Sequence, residues 1–175
     1  MRAIGLATLA GALLYVAPVF AQTRAATAEL ADYQAGGDRL LEQHRDAAQR
    51  NIDRATRALQ AKDYPKARKY AQAVTRADPK RVEAWLLLGA AQMGVQDWKR
   101  ARTSYAKAIR IWPGHPEARA GLGVAMARTN DPRATVQLAW FDKRLQACDG
   151  CYQAASLTRL KSQVETAIAE SAPRS

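Results

Sequence analysis

The chain has 175 residues and a formal charge of +11, a length that supports one small domain beside a targeting segment. Its hydrophobic share is 48%, but much of that is alanine and only two residues are Phe. Such a composition suits close-packed helices and argues against a sheet, which draws on β-branched and aromatic runs. The charge permits anionic partners, yet basic residues stand among acids, as in Lys62-Asp63 and Arg76-Ala77-Asp78. That pattern reads as a solvated helix surface, and with no common reading element present no nucleic-acid partner is expected.

Residues 1–21 carry one charge, Arg2, and then an uncharged apolar run from Ala3 to Ala21. Val19-Phe20-Ala21 places small residues where a signal peptidase reads, so a secretory signal ending before Gln22 is expected, with a periplasmic or extracellular address. The alternative is an uncleaved anchor, because the run nears the length of a spanning helix. Weakly apolar Ala and Gly and the interruption at Pro18 favour cleavage, after which no stable membrane insertion is expected. No Cys follows the run to carry a lipid.

Residues 22–37 are polar and alanine-rich and end in Gly36-Gly37; they predict a tether with a short helix around Ala25 to Tyr33, broken by the glycine pair. Asp38 is a candidate N-cap for a long helix to about Ala61, with Leu41, Ala48, Ile52, Ala55 and Leu59 forming an apolar stripe. Asp63-Tyr64-Pro65 then caps and opens a further helix, since proline is tolerated in the first turn.

The most informative stretch is Val82 to Pro113, which spells a helix, a tight turn and a second helix: Trp85-x-x-Leu88-Gly89, Ala101-x-x-x-Tyr105, Ala108 and Pro113. Gly89 and Ala101 permit close approach of the two helices, while Trp85, Leu88, Tyr105 and Ile109 fill the space around it. Pro113 stops the second helix. This order and spacing resemble the tetratricopeptide repeat (TPR), with its period of about 34 residues, although Gln92 stands where that family usually has Tyr.

One period back lie Ala67, Ala71 and Pro79, with Asp63-Tyr64 matching Asp97-Trp98; Asn51 and Ala55 replace Trp85 and Gly89. One period forward lie Leu122 and Gly123, with Asp131-Pro132 matching Asp97-Trp98 and His115-Pro116 opening the first helix. Beyond Pro132 the register slips by one residue, and Ala134, Leu138 and Phe141 best match Ala101, Tyr105 and Ala108. The resemblance implies an all-α, right-handed stack of about three helix-turn-helix repeats, spanning about 48–81, 82–115 and 116–147. A last amphipathic segment, 152–169, with Ala155, Leu157, Leu160, Val164 and Ile168 at helical spacing, would cap the stack. Residues 171–175 form a fraying tail.

Cys148-Asp149-Gly150-Cys151 is the most chemically suggestive motif. In an oxidising compartment a structural disulfide is expected. The alternatives are reduced thiols, a thiol-redox pair serving an accessory protein, and metal or haem attachment. A redox motif should lie beside a βαβ pattern, which is absent, and a c-type haem site needs His where Tyr152 stands. His44 and His115 lack neighbouring ligands, so no metal and no cofactor are expected, and no nucleophile, phosphate loop or carboxylate pair marks an enzyme.

In the TPR family the first helices of successive repeats line a concave groove. The resemblance carries that role to Gln49, Ile52, Thr56 and Leu59 in the first repeat, to Glu83, Leu86, Ala90 and Met93 in the second, and to Glu117, Ala120 and Val124 in the third. So drawn, the groove is apolar with an acidic rim, unlike the basic carboxylate clamp of the chaperone-binding members. It would receive an amphipathic or extended protein or peptide segment, or else the chain's own residues 25–33. The function implied is a non-enzymatic scaffold; a second possibility is a thiol-redox accessory protein using Cys148 and Cys151, and a third is a basic adaptor for an anionic envelope polymer.

Overall fold

In the computed structural model the backbone is described over residues 17–148 and 150–171, and side chains from residue 29 onward. The first sixteen residues of the expected signal and the last four of the tail lie outside the described residues. The described residues form seven helices and no strand: α1 (Ala17–Gln60), α2 (Tyr64–Ala77), α3 (Val82–Gly94), α4 (Trp98–Ile111), α5 (Pro116–Ala127), α6 (Ala134–Gln146) and α7 (Ala154–Ser171). The chain divides into two units, Met1–Asp46 and Ala47–Ser175.

In the first unit the expected break at Gly36-Gly37 and the cap at Asp38 are absent, because α1 runs through both. Each glycine costs a helix about 1 kcal/mol relative to alanine, but Ala25, Ala26, Ala28, Ala31 and Ala35 precede the pair and Arg39, Leu40 and Leu41 follow it, all favourable in a helix. The helix also propagates from a formed segment and needs no new nucleus. Leu30, Tyr33, Leu40 and Leu41 are exposed.

The second unit begins with three rungs. Ile52 of α1, Val74 of α2 and Ala84 of α3 form one cluster; Ala55, Ala71 and Leu88 the next; Ala58, Ala67 and Ala91 the third. Six of these nine residues are alanines, so the helices meet almost backbone to backbone, where even one added methylene would be felt. A larger side chain enters only in the next repeat. There the Tyr105 ring of α4 sits in a slot between two glycines: a Cβ on Gly89 of α3 would lie 2.8 Å from it, and one on Gly121 of α5 2.3 Å.

The turns inside the hairpins repeat with a period of 34 residues. Lys62, Gln96 and Asn130 each adopt positive φ, at 57°, 58° and 53°. The next amide in each case donates to a carbonyl five residues back: Asp63 to Ala58, Asp97 to Gln92 and Asp131 to Met126, at 2.8, 2.9 and 2.9 Å. These bonds satisfy the orphan carbonyls that end a helix and hold a left-handed residue that is unfavourable for a side chain with a Cβ. Asp63 and Asp97 then cap the next helix by accepting from the amides of Lys66 and Arg100.

Asp131 behaves differently. Its carboxylate accepts from the amide of Arg133, and α6 begins two residues later than α4 does relative to this turn. The amides of Ala134, Thr135 and Val136 donate to carbonyls three residues back, whereas Ala101 donates to Asp97, four back. Winding at three residues per turn instead of 3.6 adds about 20° per residue. Over the three residues so bonded the gain is about 60°, which turns the helix toward the one-residue slip that brings Ala134, Gln137 and Phe141 to the buried face. Gln137 is buried, and the expected Leu138 lies half-buried beside it.

Gln92, the departure from the family pattern, is buried and accepts a 2.6 Å hydrogen bond from the Ser104 hydroxyl, so its carbonyl is satisfied across the α3–α4 contact. The first motif position is filled by different chemistry in each repeat. Trp85 Nε1 donates to the Pro79 carbonyl, and Arg119 Nε, one period on, donates to the Pro113 carbonyl. The cation-π pairs are correspondingly reversed: Lys107 lies over Trp85, and Arg119 lies over Trp140.

Gly89→Ala and Gly121→Ala should each lower unfolding free energy by about 1–3 kcal/mol, because a rigid ring blocks the new methyl group, measurable by urea titration. Gly36→Ala and Gly37→Ala, where a Cβ meets nothing within 4 Å, should instead raise helicity by circular dichroism.

Asp131 also accepts from Arg102 of α4 at 2.8 Å. Its pKa is held below the ordinary carboxylate value of 3.8, chiefly by hydrogen bonds from the Arg133 side chain and amide. A depressed folded-state pKa gives stability that is complete above the unfolded value and is lost as pH falls through the folded one. The stability difference between wild type and Asp131→Asn should therefore be constant near neutrality and shrink only below about pH 3.8.

Candidate partner-binding groove

The unpaired end of the stack is covered by α7. Leu157, Leu160 and Val164 pack with Ala120 of α5 and Phe141 of α6, and Ala167 joins the cluster around Tyr105 and Leu122. Gly123 permits this contact, since a Cβ there would lie 2.8 Å from Val164. The outer face of α7 then rises beside the C-terminal ends of α3 and α5, and a groove of about 500 Å³ opens between them.

Its floor is apolar: Met93 of α3, Val124 of α5 and Ala167 of α7. Its walls are polar and come mostly from α7, with Arg159, Ser162, Gln163, Thr166 and Glu170 facing Arg128 at the end of α5. Arg128 is ion-paired with Glu170 and also lies 5.9 Å from the Trp98 ring centroid. That pair closes one end of the groove. Arg159, at the other end of the α7 stretch, makes no ion pair among the described residues. An apolar floor with hydrogen-bonding amide and hydroxyl groups along one side can hold a peptide segment by burying its side chains and pairing its backbone.

The residues expected to line a groove fall into three groups. Met93 and Val124 line the cavity, and Ala90 and Leu86 are half-buried about one and two turns earlier on α3. Ile52 and Ala120 do not face solvent: each is 2% exposed, one beneath α3 and the other beneath α7. Gln49, Glu83 and Glu117 lie away from the cavity. Gln49 bonds to Asp53 and Arg81, Glu83 lies 3.9 Å from Arg81, and Glu117 lies 3.0 Å from His115 Nδ1. Thr56 and Leu59 are half-buried on α1. The rim is thus of mixed charge, not acidic.

Of the packing residues, Ala67, Leu88, Gly89, Ala101, Tyr105, Ala108, Leu122 and Gly123 are buried. Trp85 is half-buried, and Pro79 and Pro113 are exposed in the turns between repeats. The α7 wall was not anticipated. An amphipathic pattern shows that a segment has one wet face, but not which neighbour that face overlooks.

Cys148 and Cys151 lie at disulfide distance in the α6–α7 connection, with Cα atoms 5.2 Å apart. Among the described residues no cluster of three or more His, Cys, Asp or Glu is placed to hold a metal.

These features define a helical-repeat protein: antiparallel hairpins with a common turn every 34 residues, stacked side by side and closed by a last helix. The tetratricopeptide repeat model matches residues 52–116 and 88–150, and the chain belongs to that family. A crystal structure of the Yersinia enterocolitica type III secretion translocator chaperone SycD, in an alternative dimer, has a similar fold. Its TM-score is 0.59 at 17% identity, over 71% of this chain and 94% of that one. No curated protein sequence matches the chain significantly.

Replacing both cysteines by Ser should cost well below the ~3 kcal/mol of a 15-residue loop, because the closed loop is so short. Comparing the melting temperatures of the two proteins measures the loss.

Proposed function

We propose that this protein is a non-enzymatic scaffold that holds a segment of a partner protein in the groove between α3, α5 and α7. The observation that carries the reading is the contrast between its apolar floor and polar α7 wall, on a fold whose other small side chains are used up in packing. Met93 and Val124 are the contact residues for apolar side chains of the partner, and unbranched Met93 can adapt to different ones. Gln163, Ser162 and Thr166 are the groups available to its backbone, and Arg159 to an acidic residue or terminus.

The sequence supports a setting in the cell envelope: the apolar run behind Arg2 and the small residues before Gln22 fit an export signal. Among the described residues no helix is long and apolar enough to cross a membrane. In that setting the Cys148–Cys151 bridge is a structural clasp at the start of α7, the helix that supplies the groove wall.

Crosslinking pulldown from the native envelope tests the groove. Met93→Glu and Thr166→Arg, one in the floor and one on the exposed wall, should each reduce recovery of the same partner at least tenfold while the circular dichroism spectrum is unchanged. Equal recovery by wild type and both variants would exclude the groove as the binding site.

A further inference from the structure

The helix boundaries reveal a segregation of charge that the running sequence hides. Helices α2 and α4 carry four and five basic residues and no acid, because Asp63 and Asp97 belong to the turns before them and Asp78 to the turn after α2. The helices α3 and α5 that pack against α4 are nearly neutral: α3 has only Glu83, and α5 has Glu117 and Arg119.

The basic positions recur at the repeat spacing, Lys66 with Arg100, Arg68 with Arg102 and Arg76 with Arg110. Three are neutralised, Lys66 by Asp63, Arg100 by Asp97 and Arg102 by Asp131. Lys69, Arg76, Lys99, Lys107 and Arg110 remain exposed and make no ion pair among the described residues. Both helices pack on α3, and neither lines the groove. Immediately after Arg110, Ile111 and Trp112 are 39% and 55% exposed.

We infer that the face formed by α2 and α4 docks peripherally on an anionic phospholipid bilayer. Five unpaired cations spread over two helices suit a surface of delocalised negative charge, to which each basic residue near the membrane adds favourable energy. Trp112 follows the basic row in the chain; its ring meets His115 edge-on at 4.6 Å yet stays 55% exposed, and it has the ring chemistry that settles at the headgroup level of a bilayer. An acidic polymer in solution would account for the charge but gives no role to Trp112 and Ile111. Base-stacking recognition of single-stranded nucleic acid would need a series of open aromatic platforms among the cations, whereas Tyr64, Tyr70 and Trp98 of α2 and α4 are half-buried, with Arg54 over Tyr70 and Arg128 over Trp98. Bound this way, the protein leaves the α3–α5–α7 groove free.

Sedimentation of the full chain with phosphatidylglycerol-containing vesicles and with neutral phosphatidylcholine vesicles, at low and high salt, tests the inference. Preference for the anionic vesicles that weakens with salt is expected. Arg76→Glu with Arg110→Glu should lower the affinity by about fivefold or more for each residue changed, and Lys69→Glu with Lys99→Glu should act alike. Trp112→Ser should remove the part of the binding that survives high salt. Each variant is first checked for an unchanged circular dichroism spectrum. Equal binding to neutral vesicles, or no loss in both charge-reversed pairs, would overturn the inference. So would full displacement by soluble polyglutamate together with an unaffected Trp112→Ser, which would assign the face to an acidic polymer.

Discussion

The fold depends on how closely its helices can approach. In the first repeat the contact is made almost wholly by alanines, and in the second by one tyrosine ring held between two glycines. Small residues contribute little apolar area each, so the stabilisation comes from many close contacts between helix backbones and from fully excluded water. This explains how a chain with two Phe residues makes a continuous core. Its largest fully buried side chains are few, and Ile52 lies in the first repeat while Phe141 and Leu157 lie against the closing helix.

Close packing of this kind demands a fixed geometry between hairpin arms, and the turns supply it. Three residues with side chains accept left-handed geometry at equivalent places, held by the amide-to-carbonyl bonds that follow them. The unfavourable conformation persists because the packing on both sides determines it. In the third repeat the turn is followed by a tighter winding, which rotates the face of α6 and lets Phe141 reach the Leu157–Val164 side of α7. The departure from periodicity is thus what joins the repeats to their closing helix.

That closing helix has two uses. One face seals the stack and the other forms the wall of the groove, so the groove exists only because α7 closes the array. The charge distribution follows the same division of labour. Helices α3 and α5 in the middle of the stack are nearly neutral, while α2 and α4, which keep a broad wet face, carry the cations. Placing unpaired charge only where water remains avoids the cost of burying it.

Much of the architecture was legible in the residues themselves. Trp85, Leu88, Gly89, Ala101, Tyr105 and Pro113 fall at spacings that only a pair of close-packed helices explains, and the paired repeat helices, the closing helix and the register slip after Pro132 could be read from the same frame. Those features are local, set by side-chain size and by the backbone limits of Pro and Asp within a few residues. Other features were decided by tertiary structure. Ile52 and Ala120 read as groove residues until α3 and α7 covered them, Gly36-Gly37 read as a break although α1 continues through it, and the cations read as dispersed until the helix ends separated them from Asp63, Asp78 and Asp97. Sequence spacing fixes which face of a helix a residue occupies; which neighbour then covers that face, or leaves it to water, depends on contacts between segments far apart in the chain.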